Sequence, residues 1–243
     1  MKTALIYVAM EAEAQPIVHA LTLTPFQDPT FEKINSKLFK GEYGDTKIIL
    51  VTSGKDQKLG VDRIGTDATV YVCTLAIQKY SPDVIFNAGT AGGFRSRGAN
   101  LFDVYLVEKH AVFHDRRVDV PGLKEYARGT WPTSAHLVSD SLRKQVGIKA
   151  GVLSTGNSLD MTDYDAKLIH ESQAVVKDME GAAIAWISHL HQIPFFALKG
   201  VTDIVDGEHP THEEFLRNLS RTATEIAQKT AGLVRTVIDT KLI

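Results

Sequence analysis

Four short segments of this 243-residue chain set polar or reactive groups directly after apolar runs. They are Met10-Glu11-Ala12-Glu13, Gly89-Thr90-Ala91-Gly92-Gly93, Asp178-Met179-Glu180-Gly181 and Thr202-Asp203-Ile204-Val205-Asp206. Three carry carboxylates, and the fourth reads as a glycine-rich turn. Ligands of open α/β sheets bind beyond the carboxyl ends of the strands, so Glu13, Glu180 and Asp203 are expected on one edge of one sheet. A single acidic residue usually means solvated surface. Three that converge suit either a divalent metal or proton transfer on a polar organic substrate. A metal would want more ligands of fixed geometry, and no H-E-x-x-H or clustered His/Asp set occurs, so no metal site is expected. His110 and His114 sit four apart in a strand region, and His189/His191 and His209/His212 read as surface or loop. The glycine-rich segment lacks the Lys-Ser/Thr of a P-loop and does not match G-x-G-x-x-G. It is either a simple tight turn or a place where backbone amides approach a ligand, with Thr90 offering a hydroxyl.

The elements that must position these residues follow from the pattern. Ala4–Ala9 is a continuous apolar run, a strand covered on both faces. Gln15–Leu23 reads as a short helix ending before Pro25, and 38–52 as a hairpin turning at Gly44-Asp45. Apolar residues at 61, 64, 68, 72, 75 and 76 predict a helix over Val61–Lys79. Strands are expected at Val84–Ala88, Val104–Val107, Ala111–His114, Gly151–Thr155, Ala174–Lys177 and Phe195–Leu198. A long loop is expected at 119–135 and a helix at Met179–Leu190. Thr211-His212-Glu213-Glu214 reads as a capping box opening a long final helix. Alternating strands and helices imply an α/β fold. No repeat or linker appears, so one domain over 1–243 is expected.

Composition narrows the classes. The chain is 44% hydrophobic and 23% charged, with 27 Lys+Arg against 29 Asp+Glu for a net charge of -2. That balance argues against a nucleic-acid partner or a disordered chain. No apolar run reaches the ~20 residues of a membrane helix. Lys2 followed by Ala4–Met10 imitates a signal peptide, but Glu11 and Glu13 crowd the cleavage position, so a core strand in a cytoplasmic enzyme is the reading. Cys73 is the sole cysteine. It forms no intrachain disulfide, and its apolar surroundings predict an inert buried thiol.

The same segments, together with Val112–Arg117, Leu153–Met161 and Lys199–Asp203, resemble the nucleoside phosphorylase/nucleosidase family. The similarity is greatest to its 5'-methylthioadenosine/S-adenosylhomocysteine nucleosidases of the plant-type branch, and it spans essentially the whole chain. The resemblance implies a three-layer α/β/α fold around a central mixed, twisted β-sheet. It also implies hydrolysis of the N-glycosidic bond of methylthioadenosine, with S-adenosylhomocysteine as a possible second substrate, in methionine salvage and without a cofactor. By match to the family's motifs, Asp203 would act as general acid at adenine N7 and Glu13 would activate water. Glu180 would hold the ribose hydroxyls, and Met179 would pack against the sugar. Thr90 and the backbone around Lys177 and Asp178 would line the pocket. Leu159 and Asp160 would carry adenine recognition, and Phe215 or Leu216 would meet the thioalkyl tail. A homodimer is implied, with Tyr126 and Trp131 in the 119–135 segment as interface aromatics.

Two positions depart from the pattern. Lys199 stands where many bacterial relatives carry Arg, which keeps charge but not a bidentate fork. Asn157 stands where the plant-type pattern leads one to expect Asp. Two rival readings remain: a purine nucleoside phosphorylase, for which Arg63 is the one basic candidate, and a non-catalytic nucleoside-binding or storage relative. Acidic Met10–Glu13 would repel a phosphate dianion, and all three carboxylates are present, so hydrolysis is favoured.

Overall fold

Side chains of an extended strand alternate between its two faces, and in the first strand both faces are apolar. Ala4, Ile6 and Val8 join one core while Leu5 and Tyr7 join another, which forces helices onto both sides of the sheet. The computed structural model describes residues 1–242. Its strands are β1 (Lys2–Val8), β2 (Thr24–Phe26), β3 (Leu38–Tyr43), β4 (Thr46–Thr52), β5 (Val84–Gly93), β6 (Val104–Phe113), β7 (Trp131–Pro132), β8 (Lys149–Thr155), β9 (Ala174–Asp178) and β10 (Phe195–Ile204). Its helices are α1 (Glu11–Ala20), α2 (Pro29–Glu32), α3 (Thr66–Tyr80), α4 (Leu123–Arg128), α5 (Asp140–Val146), α6 (Asp163–Ser172), α7 (Gly181–His191) and α8 (Thr211–Asp239). Helices α1 and α8 cover the Ala4/Ile6/Val8 face, where Phe86 stacks on Phe196 with centroids 5.3 Å apart. Helices α3 and α7 cover the other face through Val72, Cys73, Ala183 and Ile184. This is the expected three-layer α/β/α arrangement with a mixed sheet.

The sheet runs β10-β6-β8-β9-β5-β1-β4-β3-β2, with β7 on β6 and a further pairing of β10 with β5. That extra pairing closes β5, β10, β6, β8 and β9 into a ring, and β1, β4, β3 and β2 extend from it as an open wing. Strand β5 belongs to both parts. Its first half pairs with β1, its glycine-rich second half pairs with β9, and β10 runs along its whole length.

Several elements differ from the sequence reading, each for a local reason. Gly89–Gly93 is not a turn but the continuation of β5, because glycines let three strands crowd together there. Helix α1 begins at Glu11, not Gln15, and carries Pro16 inside it. Helix α3 begins at Thr66, not Val61. Gly65 adopts φ +90° there, a value side-chain-bearing residues avoid, and Val61 and Ile64 are exposed in the preceding loop. The two strands expected at 104–114 are one strand, β6, kinked where Lys109 takes φ +62°. The 119–135 loop contains α4 and β7. Helix α7 starts at Gly181, with Met179 and Glu180 before it. Thr211 does not cap α8: Pro210 is the cap residue, and Glu214 turns instead to the Ile204 N–H at 2.8 Å.

Helix α8 packs on β10 where Gly200 has no side chain. A Cβ at Gly200 would stand 2.5 Å from Ile226 Cγ1 and 2.8 Å from Thr222 Cγ2. Gly200→Ala is therefore expected to cost about 1–3 kcal/mol by overpacking. Urea unfolding should show a lower midpoint at unchanged slope, and a wild-type midpoint would show that α8 can retreat freely.

Candidate active site

The carboxyl ends of β1, β5, β9 and β10 open into one cavity of about 380 Å³. Glu13, Thr90, Leu159, Lys177, Asp178, Met179, Glu180, Asp203 and Phe215 all line it. Asp160 does not line it, and Leu216 points to solvent at 71% exposure. Asp160 enters only through its carbonyl, which accepts from Lys177 Nζ at 3.1 Å. The Asp160 contribution is thus a main-chain one.

Glu13 arrives from the first turn of α1. Its Oε1 accepts from both the N–H and the hydroxyl of Thr90, each at 2.7 Å, and its Oε2 accepts from Met10 N–H at 3.3 Å. The bond back to Met10 is one half of a capping box. Burial raises the Glu13 carboxyl above its ordinary range, only partly offset by Thr90, Lys199 and Met10 N–H.

Glu180 occupies the position just before α7. Its Oε1 accepts from Gly65 N–H at 2.9 Å, at the start of α3, where the helix dipole favours a negative charge. Beside it lies a buried ion pair, Lys199 Nζ to Asp178 Oδ2 at 2.7 Å, with both side chains 1% exposed. Asp178 is otherwise filled by the Thr155 hydroxyl at 2.5 Å and Gly181 N–H at 2.8 Å. Thr155 in turn accepts from Ala182 N–H at 2.9 Å, tying β8 to the amide end of α7. Asp178 is thus a structural anchor of the cavity wall, not a free acceptor. Burial pushes the Glu180 carboxyl up to about 7, with Asp178 adding and Lys199 opposing. Burial works against the Lys199 ammonium, but Asp178, Glu180 and Glu13 more than offset it and raise its proton affinity.

Asp203 is aimed by a bulge. Val201 pairs with Ala91 and Asp203 with Gly92, leaving Thr202 as the extra residue. The Thr202 hydroxyl lies 2.8 Å from Asp203 Oδ1, and Oδ2 takes no hydrogen bond from the described residues. A Cβ on Gly92 would stand 2.9 Å from that Oδ2, so glycine is what admits the carboxylate. Burial raises the Asp203 carboxyl; Thr202 and Lys177 oppose, and Glu214 adds. Helix α8 supports the bulge with a polar stripe at i, i+4 and i+8: Glu214 on Ile204 N–H at 2.8 Å, Asn218 Nδ2 on the Thr202 carbonyl at 2.8 Å, and Thr222 on the Val201 carbonyl at 3.4 Å.

Residues missed in the sequence include Ile64, Ser158 and Val205 in the lining, and the stripe itself. The stripe's signal was available, as polar residues at helical spacing on the face that must be buried. Asn157 also finds its reason. Its Oδ1 accepts from Thr66 N–H at 2.8 Å, capping α3, while its Nδ2 donates to Asp115 Oδ2 at 3.1 Å. A carboxylate in its place would face Asp115. Arg63, the one basic candidate for a phosphate site, does not line the cavity: its guanidinium donates to the Ile34 carbonyl. Trp131 is half-buried between Tyr126 and His189, with ring centroids at 6.0 and 5.7 Å, and Tyr126 is exposed. His114 is buried against Ser154 Oγ at 3.0 Å and held down to about 4 by burial and by Lys177.

A ring of five strands with an attached wing, and buried carboxylates at the strand ends, define a phosphorylase-type α/β enzyme. Residues 3–238 match the Phosphorylase superfamily, and the chain belongs to it. Within the superfamily it belongs to the 5'-methylthioadenosine/S-adenosylhomocysteine nucleosidases. It is 42% identical over 238 residues to the Arabidopsis thaliana protein of that name, covering 96% of this chain and 91% of the relative. It is 44% identical over 214 residues to 5'-methylthioadenosine nucleosidase of the same plant, covering 88% and 79%. The apo structure of an Arabidopsis 5'-methylthioadenosine nucleosidase superposes with a TM-score of 0.92 at 39% identity, covering 98% of this chain and 96% of that one.

The buried carboxylates leave a signature in stability. Glu180, raised from 4.5 to about 7, holds its proton more tightly in the folded chain than in the unfolded one. The native state therefore binds more protons across that window, and stability falls as pH rises through it. Glu180→Gln should flatten that fall, read as urea midpoints at about pH 5 and about pH 7.5. An unchanged pH slope would assign the effect elsewhere.

Proposed function

We propose that this nucleosidase hydrolyses the N-glycosidic bond of 5'-methylthioadenosine to adenine and methylthioribose. One observation carries the choice of water over phosphate. The one ammonium or guanidinium among the residues lining the cavity is Lys177, and its three donors are already taken by carbonyls of Ser158, Leu159 and Asp160. Phosphate would meet no free cation there, whereas water suits the Glu13 carboxylate.

Asp203 donates a proton to N7 as the N9–C1' bond breaks, so the bond's electron pair leaves on a neutral base. Glu13 takes a proton from the water whose oxygen bonds to C1'. Glu180 accepts from the ribose hydroxyls, and its ionised form favours positive charge developing on the sugar. Positioned acid and base groups typically contribute about 10²–10⁴-fold each. Ile64, Val205, Leu159 and Phe215 give the cavity apolar lining of the kind a thioalkyl tail needs.

A homodimer belongs to this reading. Leu59, Val61, Ile64 and Leu159 are 48–71% exposed, and Ile64 and Leu159 also line the cavity, apolar surface that a second copy would cover. A cytoplasmic location is part of the same proposal.

Adenine release from methylthioadenosine in phosphate-free buffer tests the reaction. We expect a rate unchanged by added phosphate, and activity that appears only with phosphate would overturn the role of Glu13. Glu13→Gln and Asp203→Asn should each lower kcat by about 10²–10⁴. Because burial raises both carboxyls, the acid limb of the pH profile, from Glu13, and the alkaline limb, from Asp203, should both lie above the usual carboxylate range. Near-native turnover in Asp203→Asn would sink the acid assignment.

A further inference from the structure

Lys177 is a buried charge that the proposed chemistry does not use. Its residue is 4% exposed, and Nζ donates to three consecutive carbonyls, Ser158 at 3.0 Å, Leu159 at 2.7 Å and Asp160 at 3.1 Å. An ammonium has three donors and no more. In a planar trans peptide the C=O and N–H point opposite ways. Holding these carbonyls therefore turns the N–H groups of residues 159–161 away from Lys177. Ser158 and Leu159 line the cavity, and no regular element holds them: the segment lies between β8 and α6.

We infer that Lys177 is a positioning residue, which pins the 158–160 wall of the cavity to β9 and extends its positive charge toward Asp203. The kinetic half of this inference rests on the nucleosidase reading; the tether does not. The charged groups around Lys177 are Asp160 in the wall, Asp165 on α6, Asp178 on β9, Asp203 on β10 and His114 after β6. Those acting on Asp203 are Lys177 and, from α8, Glu214. Removing the ammonium leaves the Thr202 hydroxyl alone to oppose burial and Glu214, so Asp203 keeps its proton to higher pH.

Two variants test this, Lys177→Met, which removes charge and donors, and Lys177→Gln, which keeps two donors without charge. In limited chymotrypsin digestion of the ligand-free protein, Lys177→Met should be cut within residues 158–164 at least about tenfold faster than wild type, as expected for loss of charge-assisted bonds. Unchanged cutting, or cutting spread along the chain, overturns the tether. With methylthioadenosine, KM should rise about tenfold in Lys177→Met and be partly restored in Lys177→Gln. The alkaline limb of kcat should move up by about half a unit or more in both variants. A limb that stays in place overturns the electrostatic half, since loosened packing alone would not move it. If the wild-type protein releases no adenine, the nucleosidase reading falls, while digestion still decides the tether.

Discussion

Lys199 lies inside the protein with Asp178 at 2.7 Å and with Glu180 and Glu13 close enough to act on it. A lone charge at such a depth would sooner lose or gain a proton than persist. Breaking a buried pair of this kind commonly costs about 3–5 kcal/mol. The pair also joins β9 to β10, the two strands that flank the second half of β5. Around it the charges do not cancel: Glu13, Asp178 and Glu180 face one ammonium. The surplus is held as protons, which is why Glu180 rises to about 7. A substrate that develops positive charge in this place answers the surplus, and a second anion such as phosphate adds to it.

Missing side chains position these groups as much as present ones do. Gly92 leaves space for Asp203 and Gly181 for Asp178, with a would-be Cβ at 2.9 Å from each carboxylate. Gly65, at φ +90°, turns its N–H to Glu180 at the start of α3. The amide ends of α3 and α7 both converge here and favour negative charge. The fold therefore meets the cost of gathering carboxylates with backbone dipoles and two cations, Lys199 beside Asp178, Glu180 and Glu13 and Lys177 toward Asp203.

What the sequence made legible was chemistry at strand ends. Glu13, Glu180 and Asp203 stand out because each follows an apolar run, and the sheet brings those runs to one cavity. Pattern failed where tertiary contacts outweighed local preference. Helix α1 opens at Glu11, ahead of the expected Gln15, because Met10 and Glu13 cap it there, and Pro16 is accommodated inside it. Gly89–Gly93 has the composition of a turn, yet it is strand, because composition cannot show that β9 and β10 press on it from both sides. Thr211-x-x-Glu214 has the form of a capping box, but Glu214 is worth more to the buried Ile204 N–H than to a solvent-exposed cap. Asn157 is intelligible only beside Asp115, 42 positions earlier.

Hydrogen-bond saturation separates groups that react from groups that hold. Lys177 has its three donors filled, Asp178 accepts at both oxygens, and Lys199 is bound to Asp178. Glu180 Oε2 and Asp203 Oδ2 take no hydrogen bond from the described residues, and Glu13 Oε2 takes only the 3.3 Å bond from Met10. All three residues line the cavity, so these oxygens keep their accepting capacity for a group that arrives there. Both cations are committed to the protein, and the capacity that remains in the carboxylates is to accept or share protons. A cavity so arranged is suited to hydroxyl groups, a base nitrogen and water.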